Sequence, residues 1–127
     1  MDHADYTVPW PLAHFWYVIY LRQLHFIFIF FIPGVLYIVD SSDVARLAEA
    51  REELFAVMES DDLNGVPLVI MANKQDMPGA ISPAQMIDSW QLRKLQSKWH
   101  VQGCCAISGE GIYEGMDAMA RLVKENK

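Results

Sequence analysis

Apolar positions along this chain form continuous runs and helical periodicities, and from residue 34 onward the two alternate. Val35-Leu36-Tyr37-Ile38-Val39, closed by Asp40, and Leu68-Val69-Ile70-Met71-Ala72, closed by Asn73, are runs of strand length with no polar interruption. Such runs predict strands buried on both faces, as in a parallel sheet covered by helices. His100 to Ala106 fits a third strand with a weaker pattern. Between the first two, Val44 to Ser60 carries apolar residues at Val44, Leu47, Ala48, Leu54, Phe55 and Met58, with Arg46, Glu49, Glu52 and Glu53 placed outward. That is one face of a helix, and Ser41-Ser42-Asp43 supplies capping side chains. Asp61 to Pro67 reads as a loop and Pro78-Gly79 as a turn. Ser82-Pro83-Ala84-Gln85 is a capping box with Pro at the first helical position, opening a helix to about Trp90. Gln91 to Lys98 is a basic connector, helical or irregular. After a turn at Gly109 to Gly111, a last helix shows Ile112, Met116, Met119, Leu122 and Val123 on one face. Strand then helix, three times, predicts an α/β, Rossmann-like three-layer fold with three parallel strands and right-handed crossovers.

The N-terminal stretch departs from this alternation. Met1 to Pro11 is acidic, contains Pro and shows no pattern; Asp2 follows Met1, so the glycine that N-myristoylation needs is absent. Phe15 to Ile32 is apolar except for Arg22, Gln23 and His25. Its length is near the minimum for a membrane-spanning helix. A mid-span Arg is costly there, no basic flank sets an orientation, and no cleavable signal pattern is present. Its aromatic and β-branched composition favours strand, and Phe26 to Ile32 is a window of the kind that aggregates when exposed. Pro33-Gly34 breaks the run. Three outcomes stay open: a membrane anchor, packing against the sheet or a partner, or a non-native extension. Arg22 and His25 sit badly in a dry core, which weighs towards membrane or aggregate. The chain thus divides into an apolar extension, 1–33, and a regular α/β portion, 34–127.

Length and charge narrow the picture. A chain of 127 residues is one domain, small for a complete nucleotide-hydrolysing α/β domain. A net charge of −6 argues against a nucleic-acid partner. Cys104 and Cys105 are the only cysteines and are adjacent, a poor geometry for a structural bridge, so a reduced intracellular compartment is expected. No Cys or His spacing suits a metal, and no internal repeat is present.

The candidate chemistry lies where the second run ends, in Asn73-Lys74-Gln75-Asp76. Open α/β sheets bind ligands at the carboxyl ends of their strands. A carboxylate there can accept two adjacent N–H donors, such as those on guanine's Watson–Crick edge, which adenine lacks. A Lys stem can lie over a base, and an Asn amide can tie loops together while reaching it. Asn-Lys-x-Asp after a strand resembles the guanine-reading motif of GTP-binding proteins. A second segment, Cys105-Ala106-Ile107-Ser108-Gly109, follows the third strand, where the Ala106 N–H can donate to the guanine carbonyl oxygen.

Gly34 to Lys127, about three quarters of the chain, resembles the C-terminal half of an Arf-family small GTPase in GVLYIVDSSD, EAREEL, ANKQDMPGA and CAISGEGIYEGMD. The resemblance implies a partial P-loop NTPase-like fold and a guanine-nucleotide (GTP/GDP) switch with Mg2+, working in vesicle traffic. It implies a cytoplasmic protein, peripheral or anchored at intracellular membranes; residues 1–33 resemble nothing in the family, and membrane contact through residues 15–32 is expected from their apolar length alone. By position, Asn73, Lys74 and Asp76 would bind the base, Ala106 would donate its N–H, and Cys105 and Ile107 would flank it. Ile107 stands where the family usually has Thr. The family's N-terminal half, with its phosphate loop, switch threonine and catalytic Gln, has no counterpart here. No G-x-x-x-x-G-K-[ST] occurs, and Asp62-Leu63-Asn64-Gly65 and Asp76-Met77-Pro78-Gly79 are read as chance Asp-x-x-Gly strings. The expectation is a truncated, hydrolytically impaired guanine-nucleotide binder whose Mg2+ ligands are missing. The alternative is a non-catalytic membrane-associated or interaction protein that binds no nucleotide.

Overall fold

Buried backbone N–H and C=O groups have no water to bond, so each apolar run must pair with another. In the computed structural model, which describes residues 16–21, 26–31 and 34–126, the elements are β1 (Trp16–Leu21), β2 (Phe26–Phe31), β3 (Gly34–Asp40), α1 (Leu47–Met58), β4 (Leu68–Asn73), α2 (Pro83–Trp90), β5 (Trp99–Gly103) and α3 (Ile112–Glu125). One five-stranded sheet runs β1-β2-β3-β4-β5. β3, β4 and β5 are parallel, with Tyr37 beside Ile70 and Ile70 beside Val101, as the strand–helix order implies. β1, β2 and β3 are antiparallel.

Alternation along the strands sorts the core into two layers. Val35, Tyr37, Val39, Leu68, Ile70 and Ala72 meet α1 and α2 through Leu47, Leu54, Phe55, Met86 and Trp90. Leu36, Val69 and Met71 meet Ala118 and Met119 of α3 on the other face. The three-layer α/β fold is therefore present. Each fully buried apolar side chain of this kind contributes about 1.5–3 kcal/mol. Tyr37 adds a polar tie, its hydroxyl donating to the Ala50 carbonyl at 2.9 Å. Burial, reinforced by Glu53 and Glu49, pushes the Tyr37 phenol well above its ordinary value, so it remains a donor.

Several local expectations shift. A 3-10 turn, Val44–Arg46, precedes α1 and resets its phase. Ala50 is buried in place of Ala48, and Val44 is exposed. The expected cap by Ser41-Ser42-Asp43 is not made, because these residues lie a turn upstream of the helix. Asp43 instead pairs with Arg46 at 3.2 Å, and Asp40 takes the Ser42 donors. In α3, Ile112 and Met116 are exposed, and Gly115 and Ala118 occupy the central packing positions. A Cβ on Gly115 would strike the Met71 side chain. β5 stops at Gly103, not Ala106, because the Cys104 N–H makes a last rung to the Ala72 carbonyl at 3.0 Å and Cys105 then turns to bridge Glu110. The capping box at Ser82 and Gln85 forms as expected, with bonds of 2.8 and 3.1 Å.

The N-terminal apolar run forms a hairpin. Trp16 pairs with Phe31 and Leu21 with Phe26, and Phe31 in turn pairs with Gly34 of β3. No helix among the described residues is long and apolar enough to cross a membrane, so the spanning-helix option for residues 15–32 gives way to strands. The cause is the composition already noted together with the free edge of β3. Phe28 is fully buried and stacks on Tyr37, ring centroids 4.3 Å apart. Met1 to Pro11, Arg22, Gln23, His25 and Pro33 lie outside the described residues.

Candidate functional site

Three parallel strands end side by side at Asp40, Asn73 and Gly103, and the loops that follow them converge. The Ser41 N–H donates to the Asn73 carbonyl at 3.1 Å, and the Ser41 carbonyl accepts from Ile81 at 3.1 Å. The Gln75 N–H donates to the Cys104 carbonyl at 3.1 Å, and its side-chain amide donates to the Ile81 carbonyl at 2.9 Å. These bonds fix the loop after β4 against both neighbours.

Asn73 Oδ1 is the junction between the two sequence segments. It accepts the Ala106 N–H at 2.9 Å and the Cys104 thiol at 3.6 Å. Burial and the neighbouring Cys105 push the Cys104 thiol up to about 11, so it stays protonated and donating. The Asn73 NH2 group has no partner among the described residues and remains available to a ligand.

Lys74 adopts φ 64, a left-handed conformation that costs a non-glycine residue roughly 1–2 kcal/mol. Its ammonium reaches Asp40 at 3.1 Å. Asp40 also accepts the Ser42 N–H at 2.9 Å and the Ser42 hydroxyl at 2.6 Å. Burial pushes the Asp40 carboxyl up, but hydrogen bonds from Ser42 and then Lys74 outweigh it, leaving the group below its ordinary value. Asp40 is therefore ionised at neutral pH and orients Lys74.

Asp76 is exposed, and its carboxylate makes no hydrogen bond or ion pair with the described residues. Cys105 is buried, whereas Ile107 is 94% exposed. The structure thus brings Asn73, Cys104 and Ala106 together, joins Lys74 to Asp40, and leaves Asp76 and Ile107 facing solvent. Asp40 and Gln75 were missed as contributors. The available signal for Asp40 was a carboxylate at the carboxyl end of the strand beside β4. Ser41 is also missed: its hydroxyl is fully buried without a partner among the described residues.

The Cys104-to-Gly111 loop is held by its own bonds. Cys105 donates to the Glu110 carbonyl at 2.9 Å, and Gly109 donates to the Cys105 carbonyl at 2.9 Å. Gly111 closes it at φ 84, and a Cβ there would strike the Gly103 carbonyl oxygen. Gly111→Ala is expected to cost roughly 2–4 kcal/mol, combining a left-handed conformation with a backbone clash. Gly115→Ala meets only a flexible Met71 side chain and should cost less. Chemical denaturation of the two variants checks the order.

A sequence profile of the ADP-ribosylation factor family matches residues 20–123, starting inside the apolar run. ADP-ribosylation factor 3 of Arabidopsis thaliana is 43% identical over 92 residues, covering 72% of this chain and 50% of that protein. ADP-ribosylation factor 1 of Brassica rapa subsp. pekinensis is 42% identical over 92 residues, with the same two shares of 72% and 50%. The chain spans about half the length of these curated relatives.

Proposed function

This chain belongs to the ADP-ribosylation factor family, and on that premise we propose that it binds guanine nucleotides through the base end alone. The observation that supports this most is the Asn73 Oδ1 bond to the Ala106 N–H, which ties together two segments 33 residues apart. In this reading Asp76 accepts guanine's paired N–H donors, the Lys74 stem lies over the base, and the Asn73 NH2 reaches it. Ala106 N–H turns to the guanine carbonyl oxygen, sharing or leaving Asn73, with Cys105 and Ile107 on either side. GTP and GDP are then ligands of one site, and the protein acts as a guanine-nucleotide binder on intracellular membranes in vesicle traffic.

The residues present fit a guanine base but not the phosphates with Mg2+. Phosphate binding needs backbone N–H groups at a helix N-terminus and a Lys, and the sequence has no G-x-x-x-x-G-K-[ST]. GTP hydrolysis by this chain is therefore expected to be unmeasurable. Calorimetric titration should give guanosine, GDP and GTP similar affinities, unaffected by Mg2+, and a single-turnover assay should release no phosphate. A marked preference for GTP, or Mg2+-dependent phosphate release, would contradict the reading.

A second reading is a non-catalytic interaction protein that binds no nucleotide. It is favoured by the partners that Ala106 N–H and Lys74 already have within the chain.

A further inference from the structure

β1 closes one side of the sheet, and among the described residues no strand lies on its outer side. A strand edge presents unpaired N–H and C=O groups, which proteins that stay monomeric blunt with Lys, Pro, a bulge or a covering element. Trp16-Tyr17-Val18-Ile19-Tyr20-Leu21 contains no charged residue, no Pro and no Gly, and pairs with β2 over six consecutive residues without a bulge. The opposite edge is guarded. β5 is shorter, bears His100 and Gln102 in contact with each other, and follows Lys98, which is held by Glu125. It ends at Gly103, where an added Cβ would lie 3.1 Å from the Pro83 side chain.

We propose that β1 is a self-association edge, on which two copies of the chain pair β1 against β1, antiparallel about a two-fold axis. The two five-stranded sheets then continue as one. A second copy is the occupant because the strand is self-complementary. The centred register sets Trp16 opposite Leu21 of the second copy, Tyr17 opposite Tyr20, and Val18 opposite Ile19. Aromatic pairs such as Tyr17 with Tyr20 are among the favourable cross-strand pairs. The chain carries a net charge of −6, so copies repel over most approaches, and β1 adds nothing to that repulsion. The asymmetry of the two edges also closes the assembly. β1 on β5 would propagate into a fibre, whereas β1 on β1 ends at a dimer. A competing occupant is the segment preceding β1, with Pro9 and Pro11, which would leave the chain monomeric.

Hydrogen exchange and light scattering on the full chain decide the matter. Over a roughly hundredfold rise in protein concentration, the mass should double and the amides of residues 16–21 should gain protection, while those of β4 stay unchanged. Ile19→Lys should abolish the concentration dependence with β4 still protected. If that variant unfolds, the concentration series on the natural chain still decides. A chain that stays monomeric throughout, growth beyond a dimer, or a folded Ile19→Lys variant that still dimerises would overturn the proposal.

Discussion

Asp76→Asn is expected to move the base preference of this chain from guanine to xanthine. The Asp76 carboxylate has no partner among the described residues and lies at the surface, so the substitution removes no visible folding contact. As a ligand group it would accept two adjacent N–H donors. Replacing it by an amide leaves one acceptor and adds one donor, which suits a base carrying a carbonyl beside a single N–H. Each charge-assisted bond is worth about 1.5–3 kcal/mol, so loss of one is a roughly 10- to 150-fold weakening for guanosine. Competition between guanosine and xanthosine measures it. An unchanged preference would remove Asp76 from the site.

Deleting residues 1–33 is expected to unfold the rest of the domain or leave it barely stable. The deletion takes away β2 and with it Phe28, which is fully buried against Tyr37. Losing a buried Phe alone costs about 3–5 kcal/mol. The cut also strips β3 of the antiparallel ladder from Phe26–Val39 to Phe31–Gly34, exposing a long apolar edge. Small domains have about 5–15 kcal/mol in total, so the losses together are comparable to the whole. Thermal melting of the full and shortened chains checks this. An unchanged transition with improved solubility would mean that the hairpin contributes nothing to the core.

The parts of the fold that could be read from sequence are those where one local signal decides. β3 and β4 are unbroken apolar runs, the pattern of parallel strands covered on both faces. The Ser82–Gln85 capping box fixes the start of α2 from four residues. The hairpin was less legible, because an aromatic run suits a strand, a membrane or an aggregate, and only the available edge of β3 selects among them. The phase of α1 slipped because the 3-10 turn at Val44–Arg46 is invisible to a helical periodicity count. In the site, Asn73, Lys74 and Asp76 stood out as a contiguous motif. The Lys74–Asp40 pair and the Asn73–Ala106 bond join different loops, and such pairings follow from strand order rather than local sequence.

The base-site claim is tested most directly by amide NMR spectra of the full chain titrated with guanosine and, separately, adenosine. Guanosine should shift the amide signals of Lys74, Asp76, Ala106 and Ile107 together, in one saturable process, with the Ala106 N–H responding most as it exchanges Asn73 Oδ1 for the base carbonyl. Adenosine should leave those signals in place. Equal responses to both nucleosides, no response to either, or shifts confined to residues away from the β4 and β5 loops would contradict the account.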